Sequence, residues 1–219
     1  MAVMTRGVLY RRIDAMRQKY GIRGLFDPFD FAAARQIPVQ YHEFSDPHLK
    51  GILVRSGGVC GIVLDPRLSG EQQRVTLAHE LVHLELHYGE QGTAFSDHDG
   101  MEYQADEGAA ELLMPYRDLL PRAASFRRRY RQDPVKITGL LAAHYRVDLD
   151  TMRRRLDSLD YELMLFLHGT PVSEIVPISE QEKRRKGIPA GQFRKTPSLT
   201  RRAPDIFPDE SNEVTHDPF

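Results

Sequence analysis

The chain has no tryptophan and a single cysteine, Cys60, among its 219 residues. One cysteine excludes an internal disulfide and a cysteine-rich structural zinc site, and it suits a reducing compartment. No apolar run approaches the roughly 18 residues that a membrane-spanning helix needs, and no secretory-type apolar segment opens the chain. Excess charge of either sign is also missing. The 30 Lys and Arg against 31 Asp and Glu leave a formal net charge of −1, which gives no global pull toward nucleic acid or membrane. These absences predict a soluble, cytoplasmic protein without a membrane partner. The length suits one domain, or one domain with an appendage.

Against this plain background stands His79-Glu80-Leu81-Val82-His83. It falls in an apolar-periodic run, residues 75–88, that predicts a helix. Positions i and i+4 of a helix share one face, so the two imidazoles can take adjacent sites on one metal ion. Glu80 can then reach a water on the open side of that ion. Catalytic zinc needs three protein ligands, an open position and a base, and the pentapeptide supplies two ligands and the base. Ser69-Gly-Glu-Gln72 has the form of a capping box and places the helix start near Ser69. Val75, Leu77, Ala78, Leu81, Val82, Leu84 and Leu86 make most of the helix apolar, as in a core helix. Histidines and a Glu are costly in such a place unless they have partners.

The third ligand has to come from elsewhere. The extended motif that ends in a third histidine is excluded, because Leu86 and Gly89 occupy its Gly and His positions. Residues 99–114 predict a second helix, with an apolar stripe of Ala105, Ala109, Leu112 and Leu113. Its candidates are Glu102, Glu107 and Glu111, any of which spacing alone also allows on a solvated face. Glu102 is preferred because Asp106 lies four residues on, on the same face. Asp106 can then accept the free ring N–H of a ligand histidine. His98, in the polar loop predicted for 90–100, is a candidate fourth ligand or oxyanion donor, or a solvated loop residue. His87 continues the stripe of His79 and His83, but at about 1.5 Å rise per residue it lies about 12 Å from His79, too far for one ion. It reads as a cation at the helix C-terminus or a solvated residue.

Three blocks then resemble one family. Gln73-Arg-Val-Thr-Leu-Ala-His-Glu-Leu-Val-His83, Glu102-Tyr-Gln-Ala-Asp106 and Ala109-Ala-Glu-Leu-Leu-Met-Pro115 are similar, in order and spacing, to the QRFTLAHELGH, Glu-x-x-Ala-Asn and AAELLMP elements of the ImmA/IrrE metallopeptidases. The resemblance covers roughly residues 5–160. It implies Zn2+ held by His79, His83 and Glu102, with Glu80 as the base. It also implies a zincin-like fold with a small sheet over the active-site helix, whose edge strand takes an extended peptide. Two departures stand out. Val82 replaces the usual Gly before the second His, which bears on packing at the cleft floor. Asp106 replaces the usual Asn and keeps an acceptor.

Elsewhere, helices are predicted at 6–20, 27–34, 116–131, 134–145 and 149–159, and strands at 37–44, 51–55 and 59–64. Ser56-Gly57-Gly58 joins the last two strands as a hairpin. The helix pair around Arg146 resembles a helix-turn-helix, in which Arg153 to Arg155 would meet phosphate. A packed bundle with a basic outer face fits the balanced charge better. From 177 onward large apolar residues thin out, which predicts a disordered tail. The expected architecture is α+β: a zincin-like metallopeptidase domain at 1–130, a helical helix-turn-helix-like extension at 131–176, and the tail at 177–219.

The expected function is a zinc-dependent endopeptidase. By analogy with the family, its substrate is a cytosolic helix-turn-helix repressor of a mobile element or stress regulon, encoded nearby. The alternative is a non-proteolytic, zinc-containing regulatory protein that binds DNA or a repressor, or a toxin–antitoxin component. Two histidines and one carboxylate also describe an iron site, but the internal Glu80 favours zinc hydrolysis.

Overall fold

The computed structural model describes residues 4–56, 59–87, 98–130 and 133–188. The first helix, α1 (Arg6–Lys19), starts at Thr5, whose hydroxyl accepts from the Val8 N–H. Then come α2 (Pro28–Ala34), capped by Asp27, and three strands: β1 (Val39–Tyr41), β2 (Gly51–Ser56) and β3 (Val59–Leu64). The first strand is shorter than its predicted span of 37–44. Strand order is β1-β3-β2, with β1 parallel and β2 antiparallel to β3. Among the described residues, one edge of β2 therefore has no paired strand.

The next helix, α3 (Gly70–Leu86), carries the His-Glu pentapeptide under this sheet. The predicted capping box is present, with Ser69 and Gln72 each bonding the other's backbone N–H. Sheet and helix meet closely at Gly51, where an added Cβ would lie 2.6 Å from Thr76 Cγ2. Arg74, buried on α3, donates to Asp27 and to the carbonyls of Phe26 and Arg146. One guanidinium thus ties α3 to α2 and to the turn at Arg146, which has φ 56°.

Beneath α3 lies α4 (His98–Leu113), which packs in turn on α1. Helix α4 begins at His98, inside the predicted loop. The remaining helices are α5 (Tyr116–Arg129), α6 (Pro134–Tyr145), α7 (Leu149–Ser158), α8 (Asp160–Leu167) and α9 (Glu180–Arg185). The chain is thus mixed α+β, with a small three-stranded sheet and mostly helices. No helix among the described residues is long and apolar enough to cross a membrane. One apolar cluster runs from Leu9 to Ile175.

Two further features differ from the sequence expectations. Helix α8 follows α7 almost without a break; its run Tyr-Glu-Leu-Met-Leu-Phe-Leu is too short for helical periodicity to stand out. The predicted tail starts too early, because residues 177–188 are packed. Helix α9 has a capping box between Ser179 and Glu182. Its anchor is a charged residue, Lys183, only 2 % exposed, which bonds Ser158 O, Asp160 and Glu180 and faces the buried Glu162 carboxylate at 3.6 Å. An apolar-stripe criterion cannot detect a helix held by a buried ammonium. Residues 189–219 lie outside the described residues.

Candidate metal and peptidase centre

On α3, His79 and His83 stand one turn apart and face a cavity of about 1220 Å³ between β2 and the N-terminal half of α7. Their Nε2 atoms are 3.0 Å apart. Glu102, on the second turn of α4, places Oε2 3.3 Å from His79 Nε2 and Oε1 3.3 Å from His83 Nε2. One ligand atom from each residue lies within 4.8 Å of the others. A tetrahedral ion with bonds of about 2 Å holds its ligand atoms about 3.3 Å apart, so the triangle fits such an ion.

The outer contacts fit too. His79 Nδ1 lies 2.9 Å from Asp106 Oδ1. A carboxylate can only accept, so His79 donates from Nδ1 and turns the Nε2 lone pair toward the triangle. Burial opposes charge on His79, but the Asp106 hydrogen bond and the charges of Asp106, Glu80 and Glu102 outweigh it and raise its pKa. Asp106 is lowered chiefly by the same bond. Burial, together with the charge that His79 carries when protonated, drives His83 down to about 4. His83 therefore stays a neutral lone-pair donor at neutral pH.

Glu80 sits beside the triangle and is 8 % exposed. Burial, together with the nearby Glu102, raises its pKa; His79 and a hydrogen bond from the Leu53 N–H act in the opposite sense. A carboxylate with raised basicity and a fixed orientation suits proton transfer. The Leu53 contact also joins α3 to the sheet edge. Lys50 O accepts from Asp65 N–H, and antiparallel alternation then points the backbone groups of Gly51, Leu53 and Arg55 outward into the cavity.

The other acidic candidates on α4 are committed elsewhere. Glu107 accepts from Arg6 at 2.7 Å and from the Tyr10 hydroxyl at 2.9 Å. Glu111 is 1 % exposed and paired with Arg155, so a solvated face is excluded for it. Arg155 is 2 % exposed and cannot reach an external phosphate. Arg153 pairs with Asp150, while Arg154 lines the cavity. The side chain of His98 lies outside the described residues.

His87 is where sequence reasoning missed most. It is 6 % exposed rather than solvated. Its Nδ1 lies 3.0 Å from His83 Nδ1, on the side away from the triangle. The signal in the sequence is its continuation of the histidine stripe; spacing excludes direct ligation of one ion with His79 but not a contact with His83.

The family model described as peptidase M78, IrrE N-terminal-like domain, matches residues 32–157, more than half of the 219 residues. No curated protein matches the chain. Every residue of the triangle, Glu80 and Asp106 fall within the match. A peptidase of this metal-dependent type implies a bound metal and a protein substrate. On the extent of that match, the chain belongs to the IrrE N-terminal-like family of M78 metallopeptidases.

Proposed function

We propose that the protein is a zinc-dependent endopeptidase of the cytoplasm, with His79, His83 and Glu102 as ligands and Glu80 as general base. The observation that carries this reading is the convergence of two imidazoles and one carboxylate within 4.8 Å, beside a buried carboxylate oriented by a backbone N–H. Zinc, when bound, supplies polarisation of the scissile carbonyl and acidification of water. Glu80 takes the proton of the attacking water and passes it to the leaving amine. Asp106 holds the His79 ring. An extended substrate segment pairs with the outward backbone groups of Gly51 and Arg55 and with the Leu53 carbonyl, the Leu53 N–H being held by Glu80, which puts its scissile bond beside Glu80.

The substrate is a single intracellular protein, a helix-turn-helix repressor encoded nearby, whose cleavage relieves repression. This step rests on family analogy. The burial of Arg155 within the helix pair weighs against DNA as the main partner.

The test is zinc content and repressor cleavage for wild type, Glu80→Gln and His79→Ala. Wild type and Glu80→Gln are expected to bind zinc, with cleavage by wild type only; His79→Ala is expected to lose both. Metal loss in Glu80→Gln counts against the base assignment, and full activity of His79→Ala removes the site. Salt-dependent DNA binding with an unchanged Glu80→Gln phenotype would instead identify a non-proteolytic regulator.

A further inference from the structure

Helix α4 sends three side chains toward the histidines of α3. Glu102 meets both Nε2 atoms, and Asp106 meets His79 Nδ1 directly. The third, Gln104, reaches His83 through an intermediate: its Oε1 lies 3.4 Å from His87 Nε2, and His87 Nδ1 lies 3.0 Å from His83 Nδ1. An amide oxygen only accepts, so His87 donates from Nε2. A neutral imidazole carries one proton, so His87 Nδ1 is bare and accepts from His83 Nδ1–H. His83 Nε2 is then bare as well, and it faces Glu102.

We propose that His87, held by Gln104, is a positioning residue that fixes His83 in the tautomer with a free Nε2 lone pair for the metal. This rests on the reading of His83 as a ligand. The two histidines are thus oriented by unlike partners. A charged acceptor backs His79 and raises its basicity, while a neutral acceptor backs His83. The neutral relay adds no further negative charge to a site that already carries Glu102, Asp106 and Glu80. It also explains how a third histidine of the stripe serves the site without touching the ion.

The test is zinc affinity, titrated against a chromophoric chelator, together with the 15N tautomer signature of His83 in the metal-free protein. The variants are His87→Leu, His87→Asn, Gln104→Glu and His83→Ala, each first shown to be folded by thermal unfolding. Loss of an outer hydrogen-bond partner is worth about 10- to 100-fold in metal affinity, and His87→Leu is expected to lose that much and to show mixed tautomers at His83. His87→Asn, whose Oδ1 can stand where Nδ1 stood, should restore affinity and tautomer. Gln104→Glu, an obligate acceptor, should retain both.

Wild-type affinity in His87→Leu overturns the proposal, as does equal weakening in His87→Leu and His87→Asn, which marks a packing role. Loss of affinity in Gln104→Glu would show that the amide nitrogen faces His87 and that the chain runs the other way. His83→Ala separates the two readings. If it loses zinc while His87→Leu keeps it, only the relay fails; if it keeps zinc, the ligand assignment fails as well.

Discussion

Where the ImmA/IrrE-like motif usually has glycine, this chain has Val82, fully buried on α3. The facing residue on α4 is Gly108. A Cβ added there would lie 2.9 Å from Val82 Cγ1 and 3.3 Å from Ile13 Cδ1. Helices α3 and α4 thus approach through a valine on one and a glycine on the other. Gly108→Ala sets two effects against each other. Replacing Gly by Ala in a helix interior stabilises by about 1 kcal/mol. Overpacking a filled core costs about 1–3 kcal/mol, and Val82 cannot easily turn aside, because a helical valine keeps one rotamer about 90 % of the time.

The expected net effect is a destabilisation of about 0–2 kcal/mol. Val82→Ala alone should cost about 2 kcal/mol through lost burial and a residual cavity. In that background Gly108→Ala has room for its methyl and should stabilise by about 1 kcal/mol. The double-mutant cycle by urea unfolding of the metal-free protein should therefore show a favourable coupling of about 1–3 kcal/mol. The separation of α3 and α4 also sets the distance from Glu102 to the histidines, so zinc affinity should fall in Gly108→Ala and recover in the double variant. A stabilisation of about 1 kcal/mol by Gly108→Ala alone, with coupling under about 0.5 kcal/mol, would refute the close-contact reasoning.

Three further outcomes are expected. Lys183→Ala removes the cation facing Glu162, which is fully buried, and should cost about 3–5 kcal/mol in chemical denaturation; a change within experimental error would mean that α9 is not part of the packed core. The Arg67 guanidinium holds the Asp65 carboxyl down at about 2, so the unfolded chain takes up this proton first. The stability contributed by Asp65 is present above the ordinary aspartate pKa and fades as pH falls toward 2. Asp65→Asn should flatten the acid limb of the stability–pH curve, and an unchanged slope between about pH 4 and about pH 2, the span of the two pKa values, removes that role. Cleavage should disappear in Glu80→Gln with zinc still bound, as measured by metal analysis beside a cleavage assay.

Local signals carried much of the fold. The capping box at Ser69 and the apolar faces of α1, α3 and α4 were readable, since a helix start and a helical stripe depend on residues within one or two turns. The strands β2 and β3 were legible for the same reason. Helix α9 was not, because its burial depends on Lys183 meeting Glu162, 21 residues away in sequence by their numbering. Arg155 likewise looked like part of an exposed basic run, yet it is the buried partner of Glu111.

By itself, the sequence determined which chemistry was available. An i, i+4 histidine pair with an intervening Glu follows from helical geometry alone, and Asp106 follows Glu102 by the same rule. Spacing preferred Glu102 through Asp106 but left Glu107 and Glu111 open; the tertiary structure brings Glu102 to the two histidines, because that depends on where α4 crosses α3 and on which carboxylates Arg6, Tyr10 and Arg155 have already engaged. It also decided that His87 faces inward onto His83 rather than outward to water. Helical spacing places side chains on a face; the packing of a second helix decides what that face meets.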